Sequence, residues 1–170
     1  IVRLLALTGA RKNEIARLRW SEVDAVPGLL KLADSKTGPR AIRLGAAALA
    51  LINKMDRTDS PYVFPDPRDP AQPIRNLDWA WVNIRNPAGM PDLRIHDLRH
   101  SFASVGVAGG SGLFLIGKLL GHTHVATTSR YAHLHDDPLA AAADKISNAV
   151  SAAMNPTAGA DVKDMKGGRS

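Results

Sequence analysis

The sequence predicts a mainly α-helical domain with one small three-stranded antiparallel sheet, an α+β class. Three observations lead there. Apolar residues recur at three- and four-residue spacing over most of the chain, which is the period of one helix face. Between residues 22 and 44 that period gives way to short runs divided by Gly, Pro, Asp and Ser, the pattern of strands and turns. Apolar residues make up 45% of the 170 residues, enough for one folded domain with a core.

Each element has its own signal. Residues 1–8 read as a helix closed by Thr8-Gly9, with glycine as the C-cap. Nothing before Ile1 caps it, so a fragment cut inside or just before a helix is expected. A second helix runs through Asn13–Leu18, with Ile15 and Leu18 on one face. Glu22–Val26, Gly28–Ala33 and Pro39–Leu44 read as three short strands, and Asp34–Gly38 as the turn between the last two. Helices follow near 46–56 and 76–85. The stretch between them, Phe64–Pro70, is rich in Pro and Asp and is expected to be an exposed loop of variable conformation. Residues 96–108 and 113–120 read as helices divided by Gly109–Gly112, and a short helix is expected over 124–132. Asp137 and Pro138 supply an N-cap and an N1 residue for a final helix. Leu139, Ala142, Ile146, Val150 and Met154 form its apolar stripe. The small, polar residues 155–170 are predicted to be a disordered tail, leaving 1–154 as the domain.

Composition narrows the function classes. There is no cysteine, which excludes disulfides, thiolate zinc sites and thiol catalysis. The longest apolar runs fall far short of the roughly 20 residues of a membrane span, and a cytoplasmic protein with no membrane partner is expected. The net charge is +6 and the pI about 10.0, which favours a polyanion, nucleic acid first. Arginine supplies fourteen of the 22 basic residues, and its forked guanidinium suits phosphate.

Several residues carry candidate chemistry. Arg11 follows a glycine-capped helix end and opens the next helix, where free backbone N–H groups favour an anion. Taken alone it reads equally as a solvated arginine. Glu14, one turn on, can orient Arg11 as an i,i+3 partner or simply stabilise the helix start. Lys36 sits at the hairpin tip, from which a lysine can donate a proton to a leaving alkoxide; alone it is an ordinary turn lysine. His96 and Arg99 share one helix face, with His100 nearby. His96-Asp-Leu-Arg-His100 also has the histidine spacing of a zinc-protease helix, but Asp97 replaces the glutamate and an arginine would stand inside the metal site, which is electrostatically poor. His124, His133 and His135 read as solvent-facing or loop residues. His122 follows Gly121 at a helix end, as a phosphate donor, proton carrier or helix cap. Gly109–Gly112 lacks the ending of a nucleotide loop and follows no strand. Tyr131, one of only two tyrosines, stands beside Arg130. A phenol with a pKa of about 10 is a poor nucleophile at neutral pH unless cations hold a phosphate in front of it.

Together and in this order, Thr8-Gly9-Ala10-Arg11 with Glu14, Lys36-Thr37-Gly38, His96 with Leu98-Arg99-His100, Leu120-Gly121-His122 and Tyr131 resemble the tyrosine recombinase (phage integrase) family. The similarity runs from about Thr8 to His135. The wording around His96 and His122 looks most like integrases of prophages and genomic islands. The resemblance implies a catalytic domain of the DNA breaking-rejoining fold, acting on double-stranded attachment-site DNA. By it, Tyr131 attacks a scissile phosphate to form a 3′-phosphotyrosyl bond. Arg11 and Arg99 clamp the non-bridging oxygens, Lys36 protonates the leaving 5′ oxygen, and His96 and His122 serve proton transfer and phosphate binding. Glu14 and His100 support them. The bond energy is kept in the protein–DNA link, so no cofactor, ATP or metal is expected. The resemblance also implies a core-binding domain outside this segment and a tetramer on DNA, with helix 138–154 docking on a neighbouring protomer or packing in cis. A type IB topoisomerase-like relaxing enzyme and a non-catalytic DNA-binding module are the alternatives.

Overall fold

The computed structural model describes residues 1–33, 38–122, 124, 126–134 and 138–154. It falls into two units, Ile1–His135 and Asp136–Ser170. The first opens with α1 (Val2–Thr8), closed by Gly9 in the left-handed conformation at φ 60°. The turn is tightened by Thr8, whose hydroxyl donates to the Leu4 carbonyl at 2.7 Å and accepts from the Ala10 N–H. Helix α2 (Lys12–Ala16) starts at once, with Arg11 as its N-cap. It is shorter than the sequence predicts, and a 3-10 turn (Trp20–Glu22) leads into the sheet.

The sheet has three antiparallel strands in chain order, β1 (Val23–Asp24), β2 (Leu29–Leu32) and β3 (Arg40–Arg43). Leu30 faces Val23 on one side and Ile42 on the other. Leu30, Leu32 and Ile42 are buried while Lys31, Ala41 and Arg43 are exposed, the alternation of a sheet with one wet face. Helices α3 (Ala46–Asn53) and α4 (Leu77–Arg85) follow.

Between them the structure departs from the expected variable loop. Pro65–Asp66 (β4) and Asp69–Pro73 (β5) form a second, two-stranded sheet with a register shift at Pro65/Asp66. Its residues are largely exposed, as expected, but the backbone is organised locally. The Asp66 and Asp69 carboxylates accept N–H bonds from Arg68 and Ala71, two residues on, and Ser60 donates to the Pro70 carbonyl at 2.6 Å. Aspartates that bond the backbone two residues ahead build turns, and prolines are tolerated where no further strand must be paired.

Helices α5 (Asp97–Ala108) and α6 (Leu113–Leu120) come next. The single helix expected over 124–132 is broken: α7 covers Ala126–Ser129, and a 3-10 turn covers Ala132–Leu134. Two cores result. Leu4, Ile15, Leu18, Leu30, Ile42 and Ile52 lie in one. Ala103, Val107, Ile116, Leu120 and Tyr131 form the other. Helix α5 packs on α1, α6 and the final 3-10 turn, and that packing places the site.

The second unit contains α8 (Pro138–Met154), on which Ile146, Val150 and Met154 are exposed. Its expected N-cap Asp137, the hairpin tip at 34–37 and the tail 155–170 lie outside the described residues. Among the described residues no helix is long and apolar enough to cross a membrane.

Candidate active site

The site is built on two helix C-termini. Carbonyls at the end of a helix are unpaired and carry partial negative charge. The end of α1 and the end of α6 both turn such carbonyls toward Arg99. Its Nη1 donates to Gly9 O at 2.5 Å and its Nη2 to Leu120 O at 2.7 Å. Arg99 comes from the first turn of α5 and is only 5% exposed. Burial, and then the charges of Arg11 and Arg40, bring its pKa down to about 10, so it remains a cation at neutral pH.

Both helix ends need glycine. Gly9 and Gly121 have φ of 60° and 68°. A Cβ on Gly9 would stand 2.6 Å from Phe102 Cδ1, and one on Gly121 2.5 Å from Arg40 Nε. The turn at Gly121 is closed by the His122 N–H, which donates to Gly117 O at 2.9 Å.

Arg11 lies beside them. Its backbone N–H and its Nη1 both donate to Glu14, at 2.7 and 2.8 Å, and its Nη2 reaches Gly121 O at 3.5 Å. The i,i+3 pairing of Arg11 and Glu14 is therefore present, and it leaves a quarter of the Arg11 side chain exposed. Burial pushes the Glu14 carboxyl up, but the Arg11 N–H and the charges of Arg40 and Arg11 outweigh it and hold the group below the usual carboxylate range.

Arg40 escaped the sequence reading. Its Nη1 donates to both Glu14 oxygens at 2.9 Å, and its Nη2 to Leu119 O at 2.8 Å. The side chain is 8% exposed. One guanidinium thus ties β3, α2 and the end of α6 together. The signal that could have revealed it is strand alternation: Arg40 is two residues from the buried Ile42 and shares its face. Thr128 is the second such residue. It is buried on α7, and its Oγ1 lies 2.8 Å from His122 Nδ1. Gly117 makes room for it, since a Cβ there would meet that oxygen at 2.8 Å.

His122 is held between this threonine and the cations. Burial first, then the charges of Arg99, Arg11, Arg130 and Arg40, push its pKa down to about 4. It is neutral at pH 7 and can donate one N–H. His96 is the N-cap residue of α5, its ring edge-on to His100 with centroids 5.1 Å apart. Among the described residues no group of three or more His, Asp or Glu can hold a metal ion, and the zinc-helix spacing is not assembled into a ligand set there. His124 and His133 are exposed.

Tyr131 sits in the turn between α7 and the last 3-10 turn, 6% exposed. Its hydroxyl contacts His100 Nδ1 at 2.5 Å. Burial raises the phenol above its usual pKa, with Arg130 and Arg99 pulling the other way. The structure thus gathers Arg11, Glu14, Arg99 and His122 around two helix ends, with Tyr131 in the electrostatic reach of Arg99. Lys36 lies outside the described residues.

Comparison with known proteins agrees with this architecture. Residues 1–137 match the model of the phage integrase family, and the chain belongs to that family. A tyrosine recombinase of Thermosipho africanus (strain TCF52B) is 27% identical over 138 residues, 79% of this chain and 49% of the relative. Tyrosine recombinase XerC of Xanthomonas axonopodis pv. citri (strain 306) is 32% identical over 139 residues, 78% of this chain and 45% of the relative. The chain spans about half the length of these curated relatives. The crystal structure of XerA recombinase matches with a TM-score of 0.65 at 27% identity, over 84% of this chain and 54% of that one. The catalytic domain of bacteriophage HP1 integrase matches in fold with a TM-score of 0.61 at 24% identity, over 84% of this chain and 78% of that one.

Proposed function

We propose that the chain is the catalytic portion, residues 1–154, of a site-specific DNA recombinase of the prophage or genomic-island integrase type. The observation that carries this reading is the cluster of Arg11, Arg99 and neutral His122 at two glycine-capped helix ends. Arg11, Arg40 and Arg99 face one carboxylate, Glu14, so the pocket holds net positive charge that a phosphate diester would balance.

In this reading Arg11 and Arg99 hold the two non-bridging oxygens and stabilise the extra charge of the pentacoordinate state, as oxyanion-binding groups do elsewhere. His122 adds a neutral N–H donor to the phosphate, and His96 serves proton transfer. Tyr131 Oη attacks phosphorus, the P–O5′ bond breaks, and Lys36 gives the leaving 5′ oxygen its proton. A 5′-hydroxyl from another strand reverses the step and completes the exchange. No ATP or metal takes part. Names of relatives support the reading: one similar fold is XerH recombinase bound to a palindromic difH substrate after cleavage. The partner is double-stranded attachment-site DNA, on which the protein assembles as a tetramer. The exposed apolar residues of α8 suit docking on a neighbouring protomer.

Covalent trapping tests the proposal. The protein is incubated, in chelator and without nucleotide, with a pool of randomised duplexes, and DNA that stays attached under denaturing conditions is sequenced. The selected site is then rebuilt as a nicked duplex that loses its short 5′-hydroxyl strand after cleavage and cannot religate. Wild type accumulates an adduct, and Tyr131→Phe, which lacks only the hydroxyl, accumulates none. An adduct that persists in the variant removes Tyr131 as the nucleophile.

A further inference from the structure

A neutral imidazole has one hydrogen for two ring nitrogens, and the partner of one nitrogen decides which of them keeps it. His122 is such a ring, because burial and the charges of Arg99, Arg11, Arg130 and Arg40 bring its pKa down to about 4. To donate to a phosphate, it must carry the hydrogen on the nitrogen that meets the phosphate. With the hydrogen on the other nitrogen it would turn a lone pair toward anionic oxygens, which repel it. The partner of Nδ1 is the Thr128 hydroxyl, at 2.8 Å.

The fold makes room for that contact. Thr128 is 1% exposed and lies on α7, which packs on α6. The α6 residue against it is Gly117, where a Cβ would stand 2.8 Å from Thr128 Oγ1 and 3.7 Å from its Cβ. Gly117 is not among the glycines at positive φ, and glycine weakens a helix interior relative to alanine. What it contributes is therefore space for the hydroxyl. Its carbonyl also accepts the His122 N–H at 2.9 Å, so the histidine backbone and the partner of its ring are both set by one residue of α6. Thr128 in turn uses its carbonyl to accept the Tyr131 N–H at 3.0 Å. It touches His122 through its side chain and Tyr131 through its backbone.

We propose that Thr128 is a positioning residue for His122: its hydroxyl donates to Nδ1, holds the ring in place and reserves the ring hydrogen for Nε2, the donor to the phosphate. The proposal rests on the reading of His122 as a phosphate ligand and adds the group that sets its tautomer. It also links two events. Thr128 lies on the short helix that leads into Tyr131, so the docking of α7 on α6 that seats the tyrosine also prepares His122 to donate.

Nitrogen-15 imidazole spectra of the intact protein at neutral pH read the tautomer without DNA or turnover. The protein has six histidines, and the His122 signals are those lost in His122→Ala. In wild type the hydrogen is expected on Nε2, with Nδ1 shifted upfield as a bonded acceptor. Thr128→Val keeps the shape of threonine without the hydroxyl, so Nδ1 is expected to move downfield. Single-turnover adduct formation on the trapped duplex should then slow roughly 10-fold or more, short of the roughly 100- to 1,000-fold of deleting an oxyanion donor outright, with DNA binding unchanged. Thr128→Ser restores both the spectrum and the rate. Gly117→Ala reaches the same defect from the other side, because its Cβ displaces the hydroxyl while the helix keeps a good helix former. A wild-type hydrogen on Nδ1 overturns the proposal whether or not any variant folds. So does an unchanged spectrum and rate in Thr128→Val. A loss of rate that leaves the His122 signals in place, or that Thr128→Ser does not rescue, marks a packing role and overturns it too. Wild-type adduct formation by His122→Ala sinks the underlying reading of His122 instead.

Discussion

Glu14 joins three parts of the molecule through one carboxylate. It caps the backbone of Arg11, pairs with the Arg11 guanidinium, and supplies the counter-charge for Arg40. Removing that charge would leave Arg40, its side chain 8% exposed, without its buried counter-charge. Breaking a buried pair from one side costs about 3 kcal/mol, so Glu14→Gln is expected to lower stability by about that amount in chemical denaturation. The pH dependence has a definite sign. The Glu14 carboxyl lies below its unfolded value in the fold, so its stabilisation is present above the unfolded pKa and lost as pH falls through the folded one. His122 has a folded pKa of about 4, below the ordinary histidine value of about 6.5. The native state therefore binds fewer protons there too, and stability falls as pH drops from about 6.5 toward 4. Thermal melts across that range should show the wild-type midpoint declining in acid. Melts carried below pH 4.5, the ordinary value of a glutamate, should show a further decline that is shallower in Glu14→Gln, where that contribution is gone.

At the scale of elements, the pocket depends on how chain ends are turned. Helices α1 and α6 finish in left-handed glycines, and their last carbonyls hold Arg99. Gly121→Ala would force a Cβ onto the Arg40 guanidinium at a backbone angle that L-residues rarely adopt. Its expected cost is about 2–3 kcal/mol, readable by denaturant melts. Pairing it with Arg40→Ala removes the steric part but not the backbone part. The double variant is therefore expected to lose less than the sum of the two single variants; strict additivity would show that Arg40 and Gly121 are not in contact. The β2–β3 hairpin gains a reading from the same residue. Arg40, the first residue of β3, connects the β2–β3 strand pair to α2 and to the end of α6.

Across the whole molecule, a net charge of +6 with arginines converging on one pocket makes the proposed affinity for DNA an electrostatic matter. Binding should fall linearly with salt on a double-logarithmic plot, by roughly three orders of magnitude between about 50 and 200 mM if six phosphates are contacted. Filter binding or fluorescence anisotropy across a salt series measures the slope. A flat response would remove the polyanion reading of the charge.

Sequence alone determined the secondary structure wherever the signal is local. The cap at Thr8-Gly9, the switch to strands at residue 22 and the glycine break at 121 depend on backbone freedom and periodicity within a few residues, and they are seen in the structure. The ordered motifs around Arg11, His96, Arg99 and Tyr131 also made the family legible, because the chemistry leaves residue types at fixed order along the chain. The hairpin at 65–73 was hidden by prolines that normally oppose strands, and Tyr131 was read inside a helix that is in fact broken on both sides of it. What only the tertiary structure decided was partnership. Arg40 reaches Glu14 across 26 residues, Arg99 reaches Gly9 across 90, and His100 reaches Tyr131 across 31. Such contacts are set by how helices pack on one another, and packing depends on surfaces assembled from distant segments. The candidate residues were therefore visible in the sequence, and the partners that hold them only in the fold.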